Sequence, residues 1–81
     1  MKSEELLRRI TARPDVFGGK PIIRNLRISV ELILSLLSQG ETSESIIKDY
    51  PELELQDVLA CLAYARSIIA NDRFDEILVE S

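Results

Sequence analysis

The chain has 81 residues, 46% of them hydrophobic and 30% charged, with a net charge of −4, a single cysteine and no histidine. A zinc centre needs about four Cys, His or carboxylate ligands, and imidazole catalysis needs an imidazole, so this composition points away from both and excludes a disulfide within the chain. A chain this short buries only about 60% of the surface its unfolded form exposes, which implies one thin-cored domain that a second subunit would help to stabilise.

In chain order, MKSEELLRRI carries acids and lacks an unbroken apolar stretch, so it reads as a possible helical turn at SEELLRR rather than a secretory leader. No apolar run approaches the ~20 residues that a bilayer span requires, and the expectation is a soluble, cytosolic protein. Residues from about 9 to 30 are short and turn-punctuated. Pro14-Asp15 starts a turn, and Gly18 and Gly19 supply backbone freedom at positive φ. Pro21 keeps the residue before it extended. Pro21-Ile22-Ile23-Arg24 and Leu26-Arg27-Ile28-Ser29-Val30 are rich in β-branched residues, with Asn25, tolerant of the left-handed region, between them. This predicts two or three short strands forming a hairpin arm.

From about 30 to 70 the periodicity is helical. Leu32, Ile33, Leu36 and Leu37 form one stripe of a helix that starts at Ser29 or Val30 and ends at Gly40. Thr42 or Ser43 caps a short helix with Ile46 and Ile47 turned inward, stopped near Tyr50 by Pro51. A longer helix is expected from about Leu55 to Ala70, its main inward stripe Val58, Leu62, Ala65 and Ile69, with Glu54 and Asp57 favoured at its positive N-terminal end. Leu55, Leu59, Cys61, Tyr64 and Ile68 add apolar surface beyond that stripe. Either neighbouring elements cover both flanks or the excess is an interface; in so small a domain the interface is the favoured reading. Cys61 reads as a small core residue with no base to activate it. Residues 71–81, NDRFDEILVES, set Phe74, Ile77, Leu78 and Val79 among acids, as a last helical turn, an edge strand or a segment that orders on a partner.

Charge divides the same way. Residues 1–27 hold seven basic side chains against three acidic ones, and residues 28–81 hold three against eleven. Either the leading ribbon meets a polyanion while the rest meets a basic partner, or the halves neutralise each other within the fold.

Among motifs, Gly18-Gly19-Lys20 is no phosphate loop. The position five before Gly19 is Pro14, the residue after Lys20 is Pro21, and no helix follows to aim its N-terminus at an anion. The carboxylate pairs Glu4/Glu5, Glu52/Glu54 and Asp75/Glu76 lie in different elements and read as solvated surface acids. No residue constellation supports catalysis, and no metal or cofactor is expected. Three successive helices with a short middle one suggest a helix-turn-helix. The third opens Glu54-Leu55-Gln56-Asp57, however, a poor recognition helix for phosphate-lined DNA. The basic arm, with Arg13, Lys20, Arg24 and Arg27, is the better candidate for DNA.

ITARPDVFGGKPIIRNLRISV (10–30), ILSLLSQG (33–40), the Asp49-Tyr50-Pro51 step and LQDVLACLAYA (55–65) together resemble the bacterial domain-of-unknown-function family 433, over roughly residues 9–66. The resemblance implies a mainly α fold: a three-helix, homeodomain-like (helix-turn-helix) bundle preceded by short N-terminal β-strands or a hairpin. It also implies a role that members are often proposed to have, as antitoxins encoded beside a PIN-like ribonuclease toxin. The chain departs from the family where Arg24-Asn25-Leu26-Arg27 replaces Arg-Gly-Thr-Arg, and where Glu54 replaces a Thr cap. The resulting expectation is a non-enzymatic, antitoxin-like single domain spanning 1–81. It would be a homodimer that neutralises a PIN-like toxin through Leu59, Tyr64, Ile68, Phe74, Ile77 and Leu78 and binds DNA for autoregulation through the basic arm. The alternative is a stand-alone dimeric DNA-binding regulator.

Overall fold

The computed structural model describes residues 2–70. A short helix α1 (Ser3–Leu7) leads into β1 (Ile10–Thr11) and a 3-10 turn (Phe17–Gly19). Next comes β2 (Ile22–Ile23), followed by three helices: α2 (Val30–Ser38), α3 (Ser43–Asp49) and α4 (Leu55–Ile68). The mainly helical bundle with a short N-terminal hairpin is the fold class the sequence predicts.

β1 and β2 pair antiparallel, Ile10 opposite Ile23 and Thr11 opposite Ile22. The predicted strand over Leu26–Val30 contracts to a single bridge between Ser29 and Ile22. The reason is that Ser29 is already the N-cap of α2: its hydroxyl accepts the Leu32 amide at 3.0 Å, so helix begins at Val30 where a strand would have continued. Arg24 and Asn25, at φ 44° and 62°, form the tight turn, closed by the Leu26 amide donating to the Ile23 carbonyl at 2.7 Å. Two successive positive φ values match the right-handed twist of a hairpin.

α2 stops at a Schellman motif. Gly40 sits at φ 95°, and the amides of Glu41 and Gly40 return to the Leu36 and Leu37 carbonyls. Thr42 and Ser45 then exchange backbone-to-hydroxyl bonds, both 3.1 Å, as a capping box for α3. The hairpin and the helices close on one core of Ile23, Ile28, Val30, Ile33, Ile46, Leu53, Val58 and Cys61. α1 packs along α4 and so joins the N-terminus to the last helix.

The inward face of α4 is not the one expected. Leu62 and Ile69 are about half exposed, whereas Asp57, Val58, Ala60 and Cys61 are buried. Of the expected stripe Val58 is buried and Ala65 half-buried, so the observed inward face is rotated from the expected one rather than opposite to it. The helix turns its small residues, Ala60 and Cys61, towards its neighbours, which lets them approach closely, and leaves the leucines outside. Among the described residues no helix is long and apolar enough to cross a membrane.

Candidate functional site

Two places on α4 stand out, one at each end. The first is polar and closed. Asp57, in the first turn, is fully buried, and its carboxylate accepts four hydrogen bonds. Arg24 donates from Nε to Oδ1 at 2.9 Å and from Nη2 to Oδ2 at 2.8 Å. Arg9 adds Nη1 to Oδ1 at 3.0 Å, and the Glu54 amide adds a bond to Oδ2 at 2.8 Å. A carboxylate has about four lone-pair sites, so all are filled. Arg9 also donates to Glu54 Oε1 at 2.7 Å, and Arg24 to the Glu52 carbonyl at 2.9 Å. Burial pushes the Asp57 carboxyl upward, but the bonds from Arg24, the Glu54 amide and Arg9 outweigh it and hold it below the usual carboxylate range.

This cluster ties three distant parts of the chain together: the residue before β1, the hairpin turn and the start of α4. Arg24 reaches it from a left-handed backbone conformation, one that costs a non-glycine residue of order 1–2 kcal/mol. The fork-to-fork geometry on Asp57 supplies the compensating interaction. Among the described residues no buried side-chain nitrogen or oxygen is left without a partner, so the buried part of the cluster is closed by its own chain.

The second place is apolar and open. Beyond the core, the inner side of α4 continues as Tyr64, Ala65, Ile68 and Ile69 and faces Pro21, Val30 and Leu34 across a groove of about 370 Å³. Its charged members, Lys20 and Glu31, pair with each other at 2.9 Å, and that bond draws the Glu31 carboxyl below its ordinary value. Further out on α4, Leu55, Leu59 and Leu62 are exposed.

The structure distributes the basic-arm residues unequally. Arg24 is bound to Asp57, Lys20 to Glu31, and Arg13 to its near neighbour Asp15 at 3.4 Å. Arg27 is exposed and forms no ion pair among the described residues. Gly18 and Gly19 adopt φ 63° and 87° within the 3-10 turn. The Asn25 backbone amide donates to the Thr11 hydroxyl at 3.3 Å, and Leu26 packs against the core. Of the apolar candidates, Tyr64 and Ile68 meet in the groove, Leu59 lies on the outer face, and Phe74, Ile77 and Leu78 lie outside the described residues.

Asp57 was the residue the sequence concealed. It reads as one more solvated acid on a helix N-terminus. The available signal was its place three residues after Glu54, in capping-box spacing, directly before an apolar run. Cys61 is buried among core residues; burial foremost, then the nearby Asp57 charge, pushes its thiol up to about 12, leaving it an unreactive packing group.

The sequence model of the family described as "Protein of unknown function (DUF433)" matches residues 10–65, well over half of the chain. The chain belongs to the DUF433 family. A crystal structure of a DUF433 member from Anabaena variabilis superposes with a TM-score of 0.72 at 27% identity, covering 96% of this chain and 74% of that one. A curated relative, the uncharacterized protein y4eO of Sinorhizobium fredii, is 26% identical over 58 residues. The alignment takes in 72% of this chain but only 26% of the relative. The DUF433 match begins at β1 and ends at Ala65. It therefore contains Arg24, Asp57 and most of the groove lining, and it leaves Arg9, Ile68 and Ile69 outside.

Proposed function

We propose that this protein is a non-enzymatic, antitoxin-like binding module whose α4 groove receives an apolar anchor of a partner protein, a PIN-like nuclease. The observation that carries this reading is the groove itself. An apolar stripe, half-buried at Tyr64 and Ala65 and exposed at Ile68 and Ile69, runs on past the end of its own core into a concave site of about 370 Å³. Interfaces concentrate their affinity where an aromatic or aliphatic anchor enters such a desolvated pocket. Around it the helical half is acidic, with Glu41, Glu44, Asp49 and Glu52 all exposed. A negative surface of that kind suits a protein whose own substrate is a polyanion, and it speeds encounter with a basic cleft.

The same geometry takes support away from DNA binding. Three of the four basic-arm candidates already face carboxylates of their own chain. A guanidinium held in the Asp57 cluster would have to abandon a buried partner to reach a phosphate. The test is co-purification with the product of the adjacent reading frame, using the wild-type protein and Ile68→Glu. The wild type is expected to retain the partner and suppress its nuclease activity, and the variant to lose both while melting normally. Failure of the wild-type pair to associate would end this reading.

A further inference from the structure

The outer face of α4 carries Leu55, Leu59, Leu62, Arg66 and Ile69, spaced four, three, four and three residues apart. The four apolar members are 50, 39, 47 and 58% exposed, on the side of the helix away from Asp57 and Cys61. Alternating steps of four and three are the spacing of a helix–helix seam. Among the described residues, Leu55, Leu59 and Leu62 belong to neither the core cluster nor the side chains packed against it.

We infer that this seam joins α4 to α4 of a second copy, antiparallel about a twofold axis. A twofold contact sets one patch against itself, so an apolar stripe is its own complement. Charge selects the direction. Just before α4 lie exposed Glu52 and the N-cap Glu54, the latter already paired with Arg9, while the C-terminal half of α4 carries Arg66, which pairs with no carboxylate among the described residues. A parallel pair would set Arg66 against Arg66 and acids against acids. The antiparallel pair lays Leu59 on Leu62 of the second copy and Arg66 across Leu55 of the second copy. The Arg66 guanidinium then points towards the acidic end of the other helix, and the two helix dipoles oppose favourably. A seam of one 14-residue helix per copy is small, and its dissociation constant is expected on the order of micromolar.

This pairing is separate from the groove except at Ile69, which borders both, so it does not depend on the partner reading. Sedimentation of the full chain from micromolar to sub-millimolar concentration tests it. The wild-type mass is expected to rise from 9.2 kDa towards twice that value. Leu59→Glu/Leu62→Glu should remain monomeric with an unchanged circular dichroism melt. Arg66→Glu and Glu52→Lys should each weaken the dimer, and the two together should regain most of what each loses, which a parallel pair would not. A wild type that stays monomeric throughout overturns the inference. So does a dimer that survives Leu59→Glu/Leu62→Glu, or a double charge exchange that regains nothing.

Discussion

The two ends of α4 solve opposite problems. At its N-terminal end a carboxylate is fully buried and every lone pair is filled by groups that arrive from three places in the chain. At its C-terminal end the apolar surface outruns the core and stays half exposed. The first end is self-sufficient, so its charges define the fold. The second end, among the described residues, leaves apolar side chains half exposed, and the proposed partner contact rests on it. A charge count along the sequence leaves two readings open: the basic ribbon meets a polyanion, or its charges are satisfied within the fold. In the structure Arg9 and Arg24 bind the buried Asp57 carboxylate, the Arg13 and Lys20 pairs stay on the surface, and the apolar end of α4 is half exposed among the described residues.

Breaking the closed end should have the largest effect. Asp57→Ala leaves Arg24 and Arg9 beside one another without their anion; their side chains are 36% and 22% exposed, so water takes up part of the lost contact and the cost falls below the roughly 3–5 kcal/mol of a fully buried pair. A domain of this size has about 4–12 kcal/mol of total stability, so urea or thermal denaturation should find the variant clearly destabilised. A variant that melts like the wild type would show that the cluster does not hold the hairpin to α4.

Acid should reproduce part of that loss. Because the folded-state value of Asp57 lies below its unfolded value of about 3.9, its contribution is fully present above that pH. It disappears as pH falls through the folded-state value. Melting temperature followed from neutral pH down to about 2 should therefore fall most steeply below about pH 4, and the fall should be shallower in Asp57→Asn.

The exposed pair sets the lower limit of the scale. Lys20→Ala removes the contact to Glu31, both side chains being largely in solvent, and surface pairs of this kind contribute little to stability. No measurable change in melting is expected, and a clear drop would mean that Lys20 braces the groove wall.

Much of the fold was legible in the sequence because local signals agreed: Ser29, Gly40, Thr42 and Pro51 mark helix ends, and Asn25 marks the hairpin turn. The third-helix phase was not. It depends on how closely the neighbours approach Ala60 and Cys61, a tertiary quantity that favours small residues where a hydrophobicity reading favours leucines. The Asp57 cluster was hidden for a related reason. Its partners lie 33 and 48 residues away in sequence, and nothing local distinguishes a guanidinium that will face inward from one that will face solvent. Of the groove, Tyr64 and Ile68 were visible as excess apolar surface; the facing wall of Pro21, Val30 and Leu34 was not, because it is assembled from a strand edge and a different helix.

The central claim is that the apolar end of α4, and not the basic ribbon, is the working surface. Its most direct test is the affinity of the adjacent gene's product for the wild type, Ile68→Glu and Arg27→Glu, measured calorimetrically on proteins shown to melt alike. The account predicts that Ile68→Glu abolishes binding while Arg27→Glu leaves it nearly unchanged. Binding that survives Ile68→Glu and is lost with Arg27→Glu would contradict it.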